Sequence, residues 1–123
     1  MSIQKRRGYR HEKALADRLG LFRVGTLGRE DLHDPNHGRV VRLSVEAKSR
    51  DIYPQWFENA HRQAWRNSPP GTVPVVVWHK TAQAHDEDRV DLRLADFEEI
   101  LAYIEQLEAQ LSRTLDSLNE PEQ

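Results

Sequence analysis

The sequence predicts an α/β fold in which helices flank a mixed sheet. Stretches with apolar residues at helical spacing alternate with stretches in which every second residue is apolar, in the order helix, three strands, helix, two strands, helix. The 123 residues are 37% hydrophobic, which can support one modest core. We therefore expect a single domain over residues 1–118 and a disordered tail at 119–123.

The first predicted helix covers residues 8–19, where Leu15 and Leu19 fit helical spacing and Gly20 provides a stop. The other elements follow in order: strands at 22–26, 30–34 and 41–48, a helix at 55–67, strands at 73–78 and 90–94, and a last helix starting near Asp96. A turn cluster at 34–38 follows the second strand, and the short first and second strands should form a hairpin.

The third strand is the most regular of these segments. Val41, Leu43, Val45 and Ala47 alternate with polar residues, so one face should enter the core and the other should remain open. The open face carries four polar side chains, those of Arg42, Ser44, Glu46 and Lys48.

The second half of the chain has a helix that starts after Pro54 and an apolar strand at 73–78 that should be buried on both faces. Asp96 and Glu99 form a variant of the capping box at the start of the last helix. Along that helix an apolar stripe repeats at heptad-like spacing, which predicts either packing on the sheet or a contact with a second copy. Its members are Phe97, Ile100, Ile104, Leu107, Leu111 and Leu118.

Composition excludes several classes of protein. The chain has no cysteine, so disulfides, thiolate metal sites and thiol nucleophiles are absent. It has no apolar run long enough to cross a bilayer and no signal-peptide core, which predicts a cytoplasmic protein without a membrane partner. No nucleotide-binding fingerprint occurs, so we expect no nucleotide cofactor. Residues 1–29 hold eight basic and two acidic side chains, a net charge of +6, which favours a polyanionic partner.

The strongest chemical signal is an acid, Asp31, fifteen residues before Glu46, with Lys48 two residues further on the same strand face. Mg²⁺ takes oxygen ligands, which Asp31, Glu46 and the backbone carbonyl of Ala47 can supply. The Lys48 ammonium would lie beside a metal-bound water and stabilise charge on a phosphorane. This pattern predicts hydrolysis of a phosphodiester, although Glu-x-Lys alone is also common in surface ion pairs. A second acid, Asp34, is an alternative to Asp31.

These motifs resemble those of a known family. RGYRHEKALADRLG from Arg7, FRVGTLGREDL from Phe22 and RLSVEAKS from Arg42 are similar to the N-terminal part of archaeal-type Holliday-junction resolvases, in the PD-(D/E)XK nuclease superfamily. Glu30 stands where the superfamily pattern expects Pro. Beyond Lys48 only the order of elements agrees.

The resemblance implies a restriction-endonuclease-like core and a homodimer that cuts four-way or other branched DNA by paired nicks, with Mg²⁺ or Mn²⁺ as cofactor. It implies that Glu12 holds the metal through water and that Asp31, Glu46 and Lys48 are catalytic. Backbone phosphates would be contacted by cations near the site, with Gln63 as a further DNA contact. These cations are Arg7, Arg10, Lys13, Arg23 and Arg29.

Two alternatives remain open at this point. The chain could be a nuclease of the same superfamily that acts on DNA ends, flaps or a restriction-type site. It could also be a non-catalytic DNA-binding or assembly module. The small size fits a phage recombination enzyme that acts in the host cytoplasm. A histidine metal site is not expected, because His79, His85 and the other histidines show no recognised ligand spacing.

Overall fold

The computed structural model describes residues 2–23, 32–34 and 41–121, and these form a mixed α/β structure with three α-helices. The α/β class is therefore confirmed. Every strand pairing among the described residues is antiparallel, and each one joins two strands that are consecutive in the chain. The predicted mixed sheet is not found among these strands, and the restriction-endonuclease-like core stays a prediction.

The chain divides into two compact units, Met1–Asp51 and Ile52–Gln123. The first unit contains one helix and a three-stranded antiparallel sheet, and the second contains two helices and a two-stranded sheet. The single domain expected over residues 1–118 and the disordered tail at 119–123 stay predictions. None of the helices in the described part of the chain is long and apolar enough to cross a membrane.

Helix α1 covers Ile3–Leu19 and begins five residues before the predicted start. The hydroxyl oxygen of Ser2 accepts a hydrogen bond from the backbone N–H of Lys5 at 3.2 Å, which caps a polar first turn that has no apolar periodicity. Gly20 ends the helix as predicted, with φ 67° and ψ 39°. The backbone N–H of Leu21 then donates to the carbonyl of Ala16 at 2.9 Å, as in a Schellman turn.

The first sheet consists of β1 (Phe22–Arg23), β2 (Leu32–His33) and β3 (Ser44–Val45), in that order. The predicted antiparallel pairing of the first two strands is confirmed. Leu32 lies opposite Val45 and is fully buried. It packs with Ala16 and Leu21, which are also buried, so the core of this unit lies between α1 and the sheet.

The predicted third strand is much shorter than its sequence pattern suggested. Only Ser44 and Val45 pair within the sheet, yet the exposure still alternates from Leu43 to Lys48, with Leu43, Val45 and Ala47 half-buried and the residues between them exposed. Val41 departs from the pattern because it is 40% exposed. The periodic pattern therefore predicted the faces correctly and the length of the strand incorrectly.

In the second unit, helix α2 covers Gln55–Asn67 as predicted. It packs on β4 (Val76–Trp78) through aromatic rings: Phe57 stacks on Trp78 with centroids 5.8 Å apart, and Trp56 meets the same indole edge-on at 5.3 Å. This packing fixes one face of β4.

Strand β5 (Arg89–Asp91) pairs antiparallel with β4 and places Val90 opposite Val77. These two valines are 63% and 57% exposed. The prediction that the strand at 73–78 is buried on both faces is therefore wrong, because α2 covers only the face of β4 that carries Trp78.

Helix α3 covers Leu94–Asn119 and begins two residues before the predicted capping residue. Leu94, which the pattern assigned to a strand, is its first residue. Asp96 lies in the first turn instead of at the cap, and its carboxylate accepts hydrogen bonds from the Arg93 side chain at 3.0 and 3.2 Å. A carboxylate there also interacts favourably with the positive end of the helix. The apolar stripe is open in the second half, where Leu111 is 60% exposed.

Candidate functional site

The predicted acid and lysine of the third strand lie directly after β3. The Nζ atom of Lys48 is 3.3 Å from Oε1 of Glu46, and both side chains are mostly exposed. Ala47 lies between them and is half-buried, so it faces the opposite way. An exposed ion pair of this kind contributes only about 0 to 1 kcal/mol to stability. The pair is open to an incoming ion or phosphate, and breaking it for a ligand costs little.

Asp31 and Asp34 are the two candidates for the second carboxylate of the predicted metal site. Asp31 lies outside the described residues, as does Arg29. Asp34 is only 2% exposed. Its Oδ2 atom accepts a hydrogen bond from the backbone N–H of Leu43 at 3.3 Å. Its backbone carbonyl accepts a hydrogen bond from the Arg42 side chain at 3.0 Å. A carboxylate that is buried and tied to the neighbouring segment is poorly placed to share an ion with solvent and substrate. This environment argues against Asp34 as a ligand of the predicted metal.

Glu12 and Arg23 were predicted to act separately, but the structure pairs them. Oε2 of Glu12 accepts hydrogen bonds from Nε and Nη2 of Arg23 at 2.9 and 2.7 Å. The guanidinium also lies over the ring of Tyr9, with Cζ 4.3 Å from the ring centroid. Because the two charges are only partly exposed, the pair holds α1 against β1. The pairing occupies two of the five N–H donors of Arg23 and offsets its charge.

The remaining predicted DNA contacts lie on exposed surface. Arg7 pairs with Asp51, and Lys13 lies 4.0 Å from Asp17 one helical turn away. Arg10 is exposed and, with other side chains of the same helix face, lines a shallow depression of about 320 Å³. The lining residues are Ile3, Arg6, Arg7 and Arg10. Gln63 is exposed on α2, in the second unit.

The second unit has a cationic cavity that the sequence analysis did not identify. It measures about 420 Å³ and is lined in part by Trp65 and Arg93. The Arg93 guanidinium lies over the Trp65 ring, with Cζ 3.7 Å from the ring centroid. The other lining residues of the cavity are His61, Arg62, Ala64, Arg66 and Pro74. Arg62 and Arg66 are one helical turn apart on α2, and this spacing was the sequence signal for a shared basic face.

A group of three potential metal ligands was also missed. His79, His85 and Asp88 meet in the loop between β4 and β5, with their ligand atoms within 4.8 Å of one another. None of the histidines has a familiar ligand spacing in the sequence. The available signal was a pair of histidines and an acid within ten residues, between two strands that form a hairpin.

No protein-family model, no curated protein and no solved structure matches this chain. The likeness to Holliday-junction resolvases therefore rests on the motifs quoted above.

Proposed function

We propose that the protein is a metal-dependent endodeoxyribonuclease that cuts branched DNA, with the four-way junction as its substrate. The observation that carries the proposal is the Glu46–Lys48 pair, 3.3 Å apart and open to solvent directly after β3. A carboxylate that can take up a metal and an ammonium that can offset charge on a phosphate are two of the groups that metal-assisted phosphodiester hydrolysis uses.

We propose Asp31 as the second carboxylate. In the sequence it directly precedes Leu32, which pairs with Val45, and Glu46 directly follows Val45. Mg²⁺ usually takes one or two carboxylates from a protein, so Asp31 and Glu46 would suffice.

Each residue then has a distinct role in the proposed reaction. Asp31, Glu46 and the Ala47 carbonyl would hold Mg²⁺ or Mn²⁺, and the ion would polarise the scissile phosphate and supply an acidic water. Glu46 would leave its ion pair when it takes up the metal. Lys48 would then be released toward the phosphate, where its charge offsets that of the transition state. Glu12, held by Arg23, would orient a water of the metal shell.

The exposed cations of α1 support binding to a polyanion. Arg7, Arg10 and Lys13 lie on exposed helical surface, where they can reach backbone phosphates without reading the base sequence. Affinity that depends on such contacts falls steeply with salt. The Arg62 and Arg66 face beside Trp65 is a second cationic surface that suits a phosphate backbone next to a stacked base.

Paired nicks require two sites related by symmetry, so the proposal includes a homodimer. The exposed apolar stripe on the second half of α3, which includes Leu107 and Leu111, supports a helix-to-helix contact between copies. Sedimentation at increasing protein concentration tests this part separately.

The cleavage test uses the full chain with a four-way junction, a flapped duplex and a linear duplex that share the same arm sequences. With Mg²⁺ or Mn²⁺ we expect symmetrically paired nicks in the junction. Glu46→Gln and Lys48→Ala should each lower the rate by about 100-fold or more, since each removes a group that stabilises the transition state. Glu120→Gln and Lys80→Ala remove the same groups from exposed positions elsewhere and should cleave at the wild-type rate.

The outcomes separate the alternatives. Equal cleavage of all three substrates would reject branched DNA as the preferred substrate and favour a general nuclease. Wild-type activity in Lys48→Ala would reject the site. Absence of cleavage, together with calorimetry that detects no Mg²⁺ binding dependent on Glu46, would favour a non-catalytic DNA-binding module. Circular dichroism of each variant confirms that it is folded.

A further inference from the structure

The loop between β4 and β5 brings two imidazoles onto one carboxylate. Nδ1 of His79 lies 2.6 Å from Oδ1 of Asp88, and Nδ1 of His85 lies 3.0 Å from Oδ2 of the same residue. The two rings stack with centroids 4.4 Å apart. Each imidazole thus faces a different oxygen of Asp88, so the three side chains converge on a small common volume.

Two backbone turns shape this loop. The pairing of Trp78 with Arg89 closes it at the base. Within it, the N–H of Gln83 donates to the carbonyl of Lys80 at 3.0 Å, and Ala82 adopts a positive φ of 67° at this turn. The next turn is a single 3₁₀ turn, His85–Glu87, after which the N–H of Asp88 donates to the carbonyl of His85 at 3.0 Å. The two turns bring His85 and Asp88 back toward the end of β4.

The burial of the three side chains leaves a path for an ion. The side chain of Asp88 is 13% exposed, that of His79 is 36% exposed and that of His85 is 84% exposed. The carboxylate is therefore anchored on the protein side, and one imidazole is open to solvent. A cation can arrive from solvent and replace the protons that the imidazoles share with Asp88.

The type of ligand selects the metal. Two imidazole nitrogens with one carboxylate suit Zn²⁺ and related transition ions, whereas Mg²⁺ prefers oxygen ligands alone. Bonds of about 2.0 to 2.2 Å from zinc to nitrogen or oxygen place neighbouring ligand atoms of a tetrahedral site about 3.3 to 3.5 Å apart. The ligand atoms lie within 4.8 Å of one another, and the two hydrogen-bonded N–O distances, 2.6 and 3.0 Å, are shorter than the tetrahedral separation. To hold zinc, each imidazole nitrogen would therefore move away from its carboxylate oxygen by less than about 1 Å.

We propose that His79, His85 and Asp88 form a Zn²⁺ site with one coordination position left to solvent. The site is independent of the proposed nuclease function, because none of its ligands belongs to the set around Glu46 and Lys48. Bound zinc would cross-link the two ends of the β4–β5 loop.

The test is zinc titration of the untagged full chain after treatment with a chelator, followed by calorimetry. Co²⁺, which absorbs visible light when it is four-coordinate, serves as a spectroscopic substitute. We expect one equivalent of Zn²⁺ per chain and a Co²⁺ spectrum that Zn²⁺ abolishes. Loss of one of three ligands should weaken binding by at least about tenfold. His85→Gln is the principal variant, since a side chain that is 84% exposed can be replaced without disturbing packing.

His79→Gln and Asp88→Asn should weaken zinc binding as well, and nuclear magnetic resonance spectra of the free variants show whether the loop is retained. His11→Gln removes a histidine from the first unit and should leave the zinc affinity unchanged. Glu46→Gln should keep zinc binding while it loses Mg²⁺-dependent cleavage, which separates this site from the proposed nuclease site. Equal zinc affinity in wild type and in folded His85→Gln would overturn the assignment, as would a stoichiometry well below one.

Discussion

Replacement of Leu32 by Ala tests whether the small core between α1 and the first sheet holds that unit together. Leu32 is the one large side chain that is fully buried among the described residues, and it packs with Ala16 and Leu21. The substitution removes about three methylene equivalents, which corresponds to about 2.4 kcal/mol at about 0.8 kcal/mol each. The cavity left where the surrounding side chains do not close in adds about 1 kcal/mol, so we expect the free energy of unfolding of this unit to fall by about 3 kcal/mol.

The assay must report on the first unit. The three tryptophans lie in the second unit, so their fluorescence is a poor probe. Amide hydrogen exchange of α1 is suitable, and a loss of about 3 kcal/mol should speed exchange by about 100-fold for amides that exchange through opening of this unit. Far-UV circular dichroism in urea should show a lower midpoint.

Ile3→Ala is the matched control, because it removes the same number of carbons from a side chain in α1 that is 75% exposed. Substitutions at such positions change stability by no more than about 0.5 kcal/mol. If Leu32→Ala and Ile3→Ala had similar small effects, the buried cluster could not be the stabilising core of this unit.

Two further predictions concern backbone and loop stability, and urea unfolding measures both. Gly20→Ala should lower the free energy of unfolding by about 1 kcal/mol, because φ is +67° at this position. Gly8→Ala should raise it by about 0.5 to 1 kcal/mol, because Gly8 lies inside α1 and has open space where a Cβ would be added. The same sign for both changes would refute the role of the left-handed conformation. Asp34→Ala should cost about 1 to 3 kcal/mol because it removes the acceptor for the backbone N–H of Leu43, and Asp34→Asn, which keeps an acceptor oxygen, should cost less. Equal losses in those two variants would show that this hydrogen bond is unimportant.

Local signals predicted the parts of the fold that depend on neighbours in the chain. Gly20 stops α1 because a residue without Cβ reaches the left-handed conformation most easily. Helix α2 has the bounds predicted from Pro54 and the proline-rich segment after it. The start of α1 was missed because its first turn is stabilised by the Ser2 cap and not by an apolar face.

The candidate site was predictable only in part. Glu46 and Lys48 are two residues apart, so strand periodicity was enough to place them on one face. The pairing of Glu12 with Arg23 was not predicted, since it depends on how the chain turns back after Gly20 and docks β1 against the helix. The buried position of Asp34 follows from the β2–β3 register, which the sequence pattern does not specify.

By itself, the order of residues determined the α/β class, the bounds of α2 and the placement of a carboxylate next to an ammonium, because each depends on spacings of a few residues. The tertiary structure alone decided that Val77 and Val90 are exposed and that His79 and His85 meet on Asp88. The physical reason is that burial and ligand convergence depend on which segments pack together after the loops close, and spacings of a few residues do not specify that packing.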